Sequence, residues 1–145
     1  MRSTMSAMPS MMEIYDNHAD RYDELVRAED YEHNVSGFLR SLCDWTGFSV
    51  LEAGVGTGRV TRMYVHQVAH AVLCDRAEHM IGYSKESLGV HRSKLEFRVS
   101  ENSSLPDLPE PVDIFIEGWS FGHSAVECRD DRQLAEVTEA LVHNA

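Results

Sequence analysis

Apolar residues recur along the chain at two spacings that alternate. Short apolar or alternating runs at residues 49–53, 69–73, 95–99 and 112–117 predict four β-strands. Stretches with helical spacing lie before, between and after these runs, and glycines or prolines mark most of the boundaries. Strands that alternate with helices form a parallel sheet with helices packed on both faces. The pattern therefore predicts an α/β fold, a doubly wound parallel sheet of about four strands.

The chain in front of the first strand predicts two helices. Ser10 to Glu13 has the spacing of a capping box, and positions 11, 15, 18, 22 and 25 then form one stripe that carries Tyr15 and Tyr22. Residues 35–42 repeat the helical spacing. Residues 1–12 are rich in methionine and lack the apolar core of a signal peptide. They predict a flexible leader at 1–12, followed by one domain at 13–145.

Composition narrows the classes of partner. The net charge of −11 disfavours binding to nucleic acid or to an anionic membrane, so a small-molecule or protein substrate is expected. The three cysteines, Cys43, Cys74 and Cys128, are widely spaced and fit neither a disulfide framework nor a metal site. A reducing, cytoplasmic location is therefore expected, with no metal.

Three glycines alternate directly after the first predicted strand, in the order Glu52-x-Gly54-x-Gly56-x-Gly58. Glycines at a strand–turn–helix junction permit positive φ and expose backbone N–H groups to a ligand. The dinucleotide fingerprint needs its third glycine one residue later, where this chain has Arg59. A carboxylate at Glu52 repels a pyrophosphate but suits an ammonium group. The segment resembles the first motif of the class I S-adenosylmethionine-dependent methyltransferases.

This resemblance implies a complete set of cofactor contacts, beginning with the glycines and Glu52 at the amino acid end of S-adenosyl-L-methionine. Asp75 ends the second predicted strand about 20 residues after the glycines, the separation of a βαβ unit. It would hold the ribose hydroxyls, with Arg76 beside it. Met80 would pack against the adenine ring. A helix cap for Asp75 and a core position for Met80 are the alternatives.

Two further pairs of residues follow from the same resemblance. Tyr15 and Tyr22 lie in a segment similar to one that folds over the cofactor in small-molecule members of the family, although core-facing aromatic residues would look the same. Glu101 and Asn102 lie before a Leu-Pro pair, where the family recognises the adenine amino group. For Glu101, a solvated loop acid is the alternative.

The end of the fourth predicted strand supplies the remaining candidates. Ligands of parallel α/β sheets bind at the carboxyl edge, so Glu117 joins the cofactor-binding set. Trp119 and His123 follow as candidate acceptor-site residues. A histidine there is suited to take a proton from an acceptor hydroxyl or amine near neutral pH. A surface histidine without a catalytic role is the alternative.

The resemblance also implies strand order 3-2-1-4, without the family's last three strands. The fourth strand would then be an open apolar edge, which invites a second copy or a partner chain. The leading interpretation is the cofactor-binding part of a methyltransferase for a small-molecule acceptor, truncated and weak or inactive as an isolated chain. A non-catalytic cofactor-binding or protein-interaction module is the alternative. A nicotinamide-dependent oxidoreductase is disfavoured by the glycine spacing.

Overall fold

The computed structural model describes residues 10–145, and its centre is a single parallel sheet. The four strands are β1 (Ser49–Ala53), β2 (His70–Asp75), β3 (Leu95–Val99) and β4 (Ile114–Glu117). They lie in the order β3-β2-β1-β4, and every neighbouring pair is parallel. The predicted fold class and strand order are confirmed.

Helices cover both faces of the sheet. They are α1 (Met11–Asn17), α2 (Ala19–Glu29), α3 (Asn34–Leu42), α4 (Thr61–Tyr64), α5 (Glu78–Ser87), α6 (Ser120–Glu127) and α7 (Asp131–Asn144), with 3₁₀ turns at Gly89–Lys94 and Asn102–Ser104. Residues 1–9 of the predicted leader lie outside the described residues. Met11 and Met12, which that prediction also included, belong to α1.

The first predicted helix is two helices. Ser10 caps α1 as the capping box predicts, accepting a hydrogen bond from the Glu13 amide at 3.2 Å. The backbone of His18 then leaves the helical region, with φ −134° and ψ 43°, and α2 starts at the next residue. The predicted stripe holds at Tyr22, which is half-buried, but fails at Leu25, which is 57% exposed, whereas Asp23 is only 3% exposed.

Helix α6 lies between β4 and the last helix, where the sequence pattern predicted no helix. It begins where the Glu117 carboxylate accepts a hydrogen bond from the Phe121 amide at 2.8 Å. Trp119, just before the helix, has φ of 70°, in the left-handed region. The side chain that caps α6 is therefore Glu117, the last residue of β4, and not Trp119 at the N-cap position.

The two faces of the sheet carry separate apolar cores. On one face Val50 and Leu73 pack with Tyr64, whose ring stacks on Trp45 at a centroid distance of 5.3 Å. On the other face Leu51, Val72 and Cys74 form the first cluster. A second cluster on that side joins β1 to α6 and α7 through Ala53, Phe121 and Val137. Both faces are therefore buried, as a doubly wound sheet requires.

The sheet has two edges within the described residues, β3 and β4. On β3, Glu96 and Arg98 form an ion pair, and charges of this kind discourage unwanted strand pairing. On β4 all four residues are half-buried and no further strand lies beyond it in the described range. None of the helices in residues 10–145 is long and apolar enough to cross a bilayer.

Gly54 allows a stability test of the close packing between β1 and α6. Gly54 and Gly47 have φ of 72° and 79°. A Cβ at Gly54 would lie 2.1 Å from the Ser120 Cβ, whereas a Cβ at Gly47 meets nothing within 4 Å. We expect Gly47→Ala to cost about 1–2 kcal/mol through left-handed strain alone. Gly54→Ala should cost a further ~1–3 kcal/mol because α6 must shift.

Urea unfolding would give the free energy of unfolding of both variants and of the wild type. Equal destabilisation by Gly54→Ala and Gly47→Ala would contradict the contact between Gly54 and Ser120.

Candidate functional site

A cavity of about 300 Å³ opens at the carboxyl edge of the sheet, bounded by the glycine loop (residues 54–58), the ends of β2 and β4, and helices α1, α2 and α6. Most of the predicted site residues line it, although they are far apart in sequence. Those residues are Tyr15, Tyr22, Gly54, Gly56, Asp75, Arg76, Glu101, Asn102, Trp119 and His123.

The glycine loop is fastened to the end of the neighbouring strand. The amides of Gly54 and Val55 both donate to the carbonyl oxygen of Cys74 at 2.9 Å. The Gly56 amide donates to Asp75 Oδ2 at 2.8 Å. These bonds need the positive φ of Gly54 and Gly56, which glycine adopts without strain. The loop thus turns bare backbone toward the cavity.

Asp75 is the carboxylate at the base of the cavity. Besides its bond with Gly56, it accepts a hydrogen bond from the Ala77 amide at 2.9 Å through Oδ1. Burial raises the pKa of Asp75 above its ordinary value, although the amides of Ala77 and Gly56 favour the charged form. Asp75 therefore supports the turn into α5 and also lines the cavity, and its contact with ribose hydroxyls stays a prediction.

Glu52 lies behind the glycine loop and does not line the cavity. It is 2% exposed, and its Oε2 accepts hydrogen bonds from Thr61 Oγ1 at 2.7 Å and Tyr64 Oη at 2.6 Å. Burial raises the pKa of Glu52 to about 7, while the two hydroxyl groups oppose the shift. Glu52 thus anchors α4 to β1, and its contact with the amino acid end of a cofactor stays a prediction.

Three more predicted cofactor residues lie outside the cavity wall, each for a packing reason. A Cβ at Gly58 would come within 3.0 Å of the Leu88 side chain, so Gly58 brings α5 close to the loop. Met80 is fully buried in a cluster with Ala19 and Ala77, against which Tyr15 and Tyr22 pack. The Glu117 carboxylate caps α6 instead of facing the cavity. Direct cofactor contacts for these three residues stay predictions.

The two tyrosines form the wall opposite the glycine loop. Their rings meet edge to face, with centroids 5.2 Å apart and planes at 72°. Burial, and secondarily the neighbouring Tyr22, raise the pKa of Tyr15. Tyr22 Cε1 lies 3.7 Å from the position that a Cβ on Gly56 would take. Tyr15 and Tyr22 therefore pack on Met80 with one side and face the cavity with the other.

The third wall combines the loop after β3 with helix α6. Asn102 is buried, and its Nδ2 donates to Ser124 Oγ at 3.0 Å. Arg76 forms a two-pronged ion pair with Glu127 at the end of α6, which raises the Arg76 pKa. Glu101 is exposed at this wall. Polar groups here are held in place before any ligand arrives.

Several wall residues were missed from the sequence: Leu25, Glu29, Arg59, Ala77, Gly118, Ser120 and Ser124. Ser120 and Ser124 share one face of α6, a helix that the sequence pattern did not reveal. Leu25 and Glu29 are four residues apart on α2, whose phase was misjudged. Arg59 had a signal, since it directly follows the glycines, but its side chain turns away to the Val26 carbonyl at 3.1 Å.

His123 and Trp119 are placed at one end of the cavity by α6, as their order after β4 suggested. The Trp119 side chain is 72% exposed. Among the described residues no group of three or more histidine, cysteine, aspartate or glutamate side chains could hold a metal ion. The cavity therefore offers glycine backbone without Cβ atoms, carboxylates, aromatic rings and one imidazole, while the amides of Gly54 and Gly56 that were expected to face a ligand already bond to the end of β2.

Known proteins share this architecture. Residues 50–144 match the family described as Methyltransferase domain. The chain is 28% identical over 115 residues to an uncharacterized methyltransferase of a Geobacillus species, covering 76% of this chain and 53% of that one. The chain thus belongs to the methyltransferase domain family, and the resemblance to class I S-adenosylmethionine-dependent methyltransferases is confirmed.

Two solved structures show the same fold. An S-adenosylmethionine-dependent methyltransferase from Clostridium acetobutylicum superposes with a TM-score of 0.64 at 20% identity, over 90% of this chain and 52% of that one. A DhpI–SAM–HEP complex superposes with a TM-score of 0.65 at 21% identity, over 95% of this chain and 63% of that one. The chain therefore spans about half to two thirds of the length of these relatives.

The raised pKa of Glu52 predicts a specific pH dependence of stability. In the unfolded chain this carboxyl ionises near 4.5, while in the folded protein it ionises near 7. Between these values the folded state retains a proton that the unfolded chain has lost, so stability falls as the pH rises. The contribution of Glu52 is complete below pH 4.5 and lost above pH 7, a difference of roughly 3 kcal/mol.

Urea unfolding of the wild type and of Glu52→Gln, at several pH values between 4 and 8, measures this contribution. Relative to wild type, the variant should gain stability steadily as the pH rises through this window and then level off. A difference between the two proteins that does not vary with pH would show that Glu52 ionises normally.

Proposed function

We propose that this chain is the cofactor-binding part of an S-adenosylmethionine-dependent methyltransferase acting on a small molecule. The observation that carries the proposal is that Asp75 and the bare backbone of Gly54 and Gly56 line one cavity beneath Tyr15 and Tyr22. At about 300 Å³ the cavity is within the range of small-molecule sites. The net charge of −11 argues against a polyanionic substrate.

The wall residues fit the parts of S-adenosyl-L-methionine. The Asp75 carboxylate is an acceptor for ribose hydroxyls. Asn102 and Glu101 offer polar groups for the adenine edge, with Asn102 already fixed by Ser124. Gly54 and Gly56 present no Cβ to the cavity and so leave room for the amino acid end. For Glu52 we propose an indirect role, because its carboxylate holds α4 in place behind the loop.

When bound, the cofactor supplies an electrophilic methyl group on a sulfonium sulfur. The protein contributes mainly by fixing the acceptor in line with that methyl group, which is worth about 7–11 kcal/mol in favourable cases. His123, at the α6 end of the cavity, is the candidate group to receive the acceptor's proton at an imidazole nitrogen.

The acceptor side is the less complete half of the proposed site. Because the chain covers only 53% of its Geobacillus relative, we expect weak or absent turnover by this chain alone. The proposed acceptor wall includes Trp119, which precedes α6, and His123 within α6, both of which follow β4 in the chain. A partner chain or second copy at the β4 edge would extend this wall.

Binding of S-adenosylhomocysteine to wild type and Asp75→Ala, measured by calorimetry, tests the proposal. Losing a charged acceptor of ribose hydrogen bonds should raise the dissociation constant by about tenfold or more. Asp107→Ala, at an exposed loop position, is the control for the change in net charge and should bind like wild type. Circular dichroism would confirm that all three proteins are folded.

Two outcomes would count against the proposal. If folded wild-type protein gave no binding heat at saturating S-adenosylhomocysteine, the cavity would not be a site for this cofactor. If NADH bound with a change in its fluorescence and S-adenosylhomocysteine failed to displace it, a nicotinamide-dependent function would replace the proposed one.

The edge of β4 favours a second candidate function, a protein-interaction module. Ile114 and Ile116 are only half-buried, and β4 has no outer neighbour among the described strands. A row of unpaired backbone groups with apolar flanks is suited to strand addition. Native mass spectrometry separates the candidates, because it reports a retained nucleoside ligand and a second chain in the same spectrum.

A further inference from the structure

Asp23 is a buried carboxylate that the proposed chemistry does not use. It lies on the inner side of α2 and is only 3% exposed. Its Oδ1 accepts a hydrogen bond from Arg62 Nη2 at 2.6 Å. Its Oδ2 accepts a hydrogen bond from Tyr83 Oη at 3.3 Å and forms an ion pair with Arg27 Nε at 2.7 Å. A buried charge is tolerated when it is paired in this way.

Arg62 connects Asp23 to the glycine loop. While Nη2 binds Asp23, Nη1 donates to the carbonyl oxygen of Thr57, inside the loop, at 3.1 Å. One rigid guanidinium thus bridges a side chain of α2 and the backbone of the cofactor loop. Nearby, Arg59 Nη1 donates to the Val26 carbonyl of α2 at 3.1 Å. Helix α2 is therefore bonded at Asp23 and at Val26 to the arginines that follow the glycines.

The position of Asp23 also sets the position of the aromatic wall. Tyr22 precedes it in the chain and stands over Gly56. Tyr15 on α1 packs edge to face against Tyr22. Both rings line the cavity. A shift of α2 relative to the glycine loop would therefore move the wall that covers the cavity, even though Asp23 does not line it.

We propose that Asp23 is a positioning residue whose ion pair with Arg62 holds helices α1 and α2, here called the cap, closed over the cofactor cavity. The inference rests on the proposed function, because it assigns the cap to the same cavity. Weakening the pair lowers the fraction of protein with a closed cap, and the apparent affinity for the cofactor falls in proportion.

The test compares Asp23→Asn with wild type, using S-adenosylhomocysteine as the probe. Asparagine keeps the size of the side chain but removes its charge. If the closed fraction falls to about a tenth, the dissociation constant should rise about tenfold. Stopped-flow measurements should place most of this change in a faster dissociation rate. Glu24→Gln, at the exposed neighbouring position on α2, is the matched control and should bind like wild type.

Hydrogen exchange distinguishes a cap role from a general loss of stability. In Asp23→Asn, amides of α1 and α2 should exchange faster with ligand bound, while those of β1 and β2 keep their protection. Arg62→Met should give the same pattern, and the double variant should be little worse than either single one, because the two side chains form one contact.

The outcomes separate this inference from the proposed function. If wild type does not bind S-adenosylhomocysteine, the proposed function fails. If wild type binds and Asp23→Asn binds with the same dissociation rate and the same exchange in the cap, the inference fails. If Asp23→Asn does not fold, Arg62→Lys replaces it. A several-fold faster dissociation of S-adenosylhomocysteine from Arg62→Lys supports the inference, and an unchanged dissociation rate overturns it.

Discussion

Three backbone amides of the glycine loop bind the end of β2, and the cavity depends on this attachment. The amides of Gly54 and Val55 share the Cys74 carbonyl, and the Gly56 amide binds the Asp75 carboxylate. Parallel neighbours end at the same edge of the sheet, so the loop after β1 can reach the end of β2 directly. With side chains absent at two of these positions, the loop presents backbone rather than Cβ atoms to a ligand.

The short helix α4 stabilises two buried acids on opposite sides of that loop. Its Thr61 and Tyr64 hydroxyl groups bind Glu52, whose pKa is raised mainly by burial. Its Arg62 binds Asp23. Helix α4 thus supplies neutral hydroxyl donors to Glu52 and a cationic guanidinium to Asp23. Four residues of helix in this way join β1, the glycine loop and the cap into one unit around the cavity.

The repeating elements were predictable from local pattern. The bounds of β1 and β3 are those of the predicted strands at residues 49–53 and 95–99. The positions of Gly54, Gly56 and Asp75 at the cavity were also predictable, because the spacing along a βαβ unit brings the loop after one strand and the end of the next strand to the same edge of the sheet. Helix α6 and the break at His18 were not. The first turn of α6 donates to the Glu117 carboxylate at a strand end, and the His18 backbone leaves the helical region at a position that the apolar spacing does not mark.

The sequence by itself determined the class of fold, the strand order implied by the family resemblance and the chemical character of the cofactor loop. Tertiary structure decided which predicted residues face the cavity and which support it. Glu52 and Met80 show the difference, because both lie next to site residues in sequence but neither lines the cavity. Glu52 bonds to α4, and Met80 is buried in the cluster on which the two tyrosines pack. Periodicity fixes the face of an element that a residue occupies, but the packing of several elements decides what that face meets.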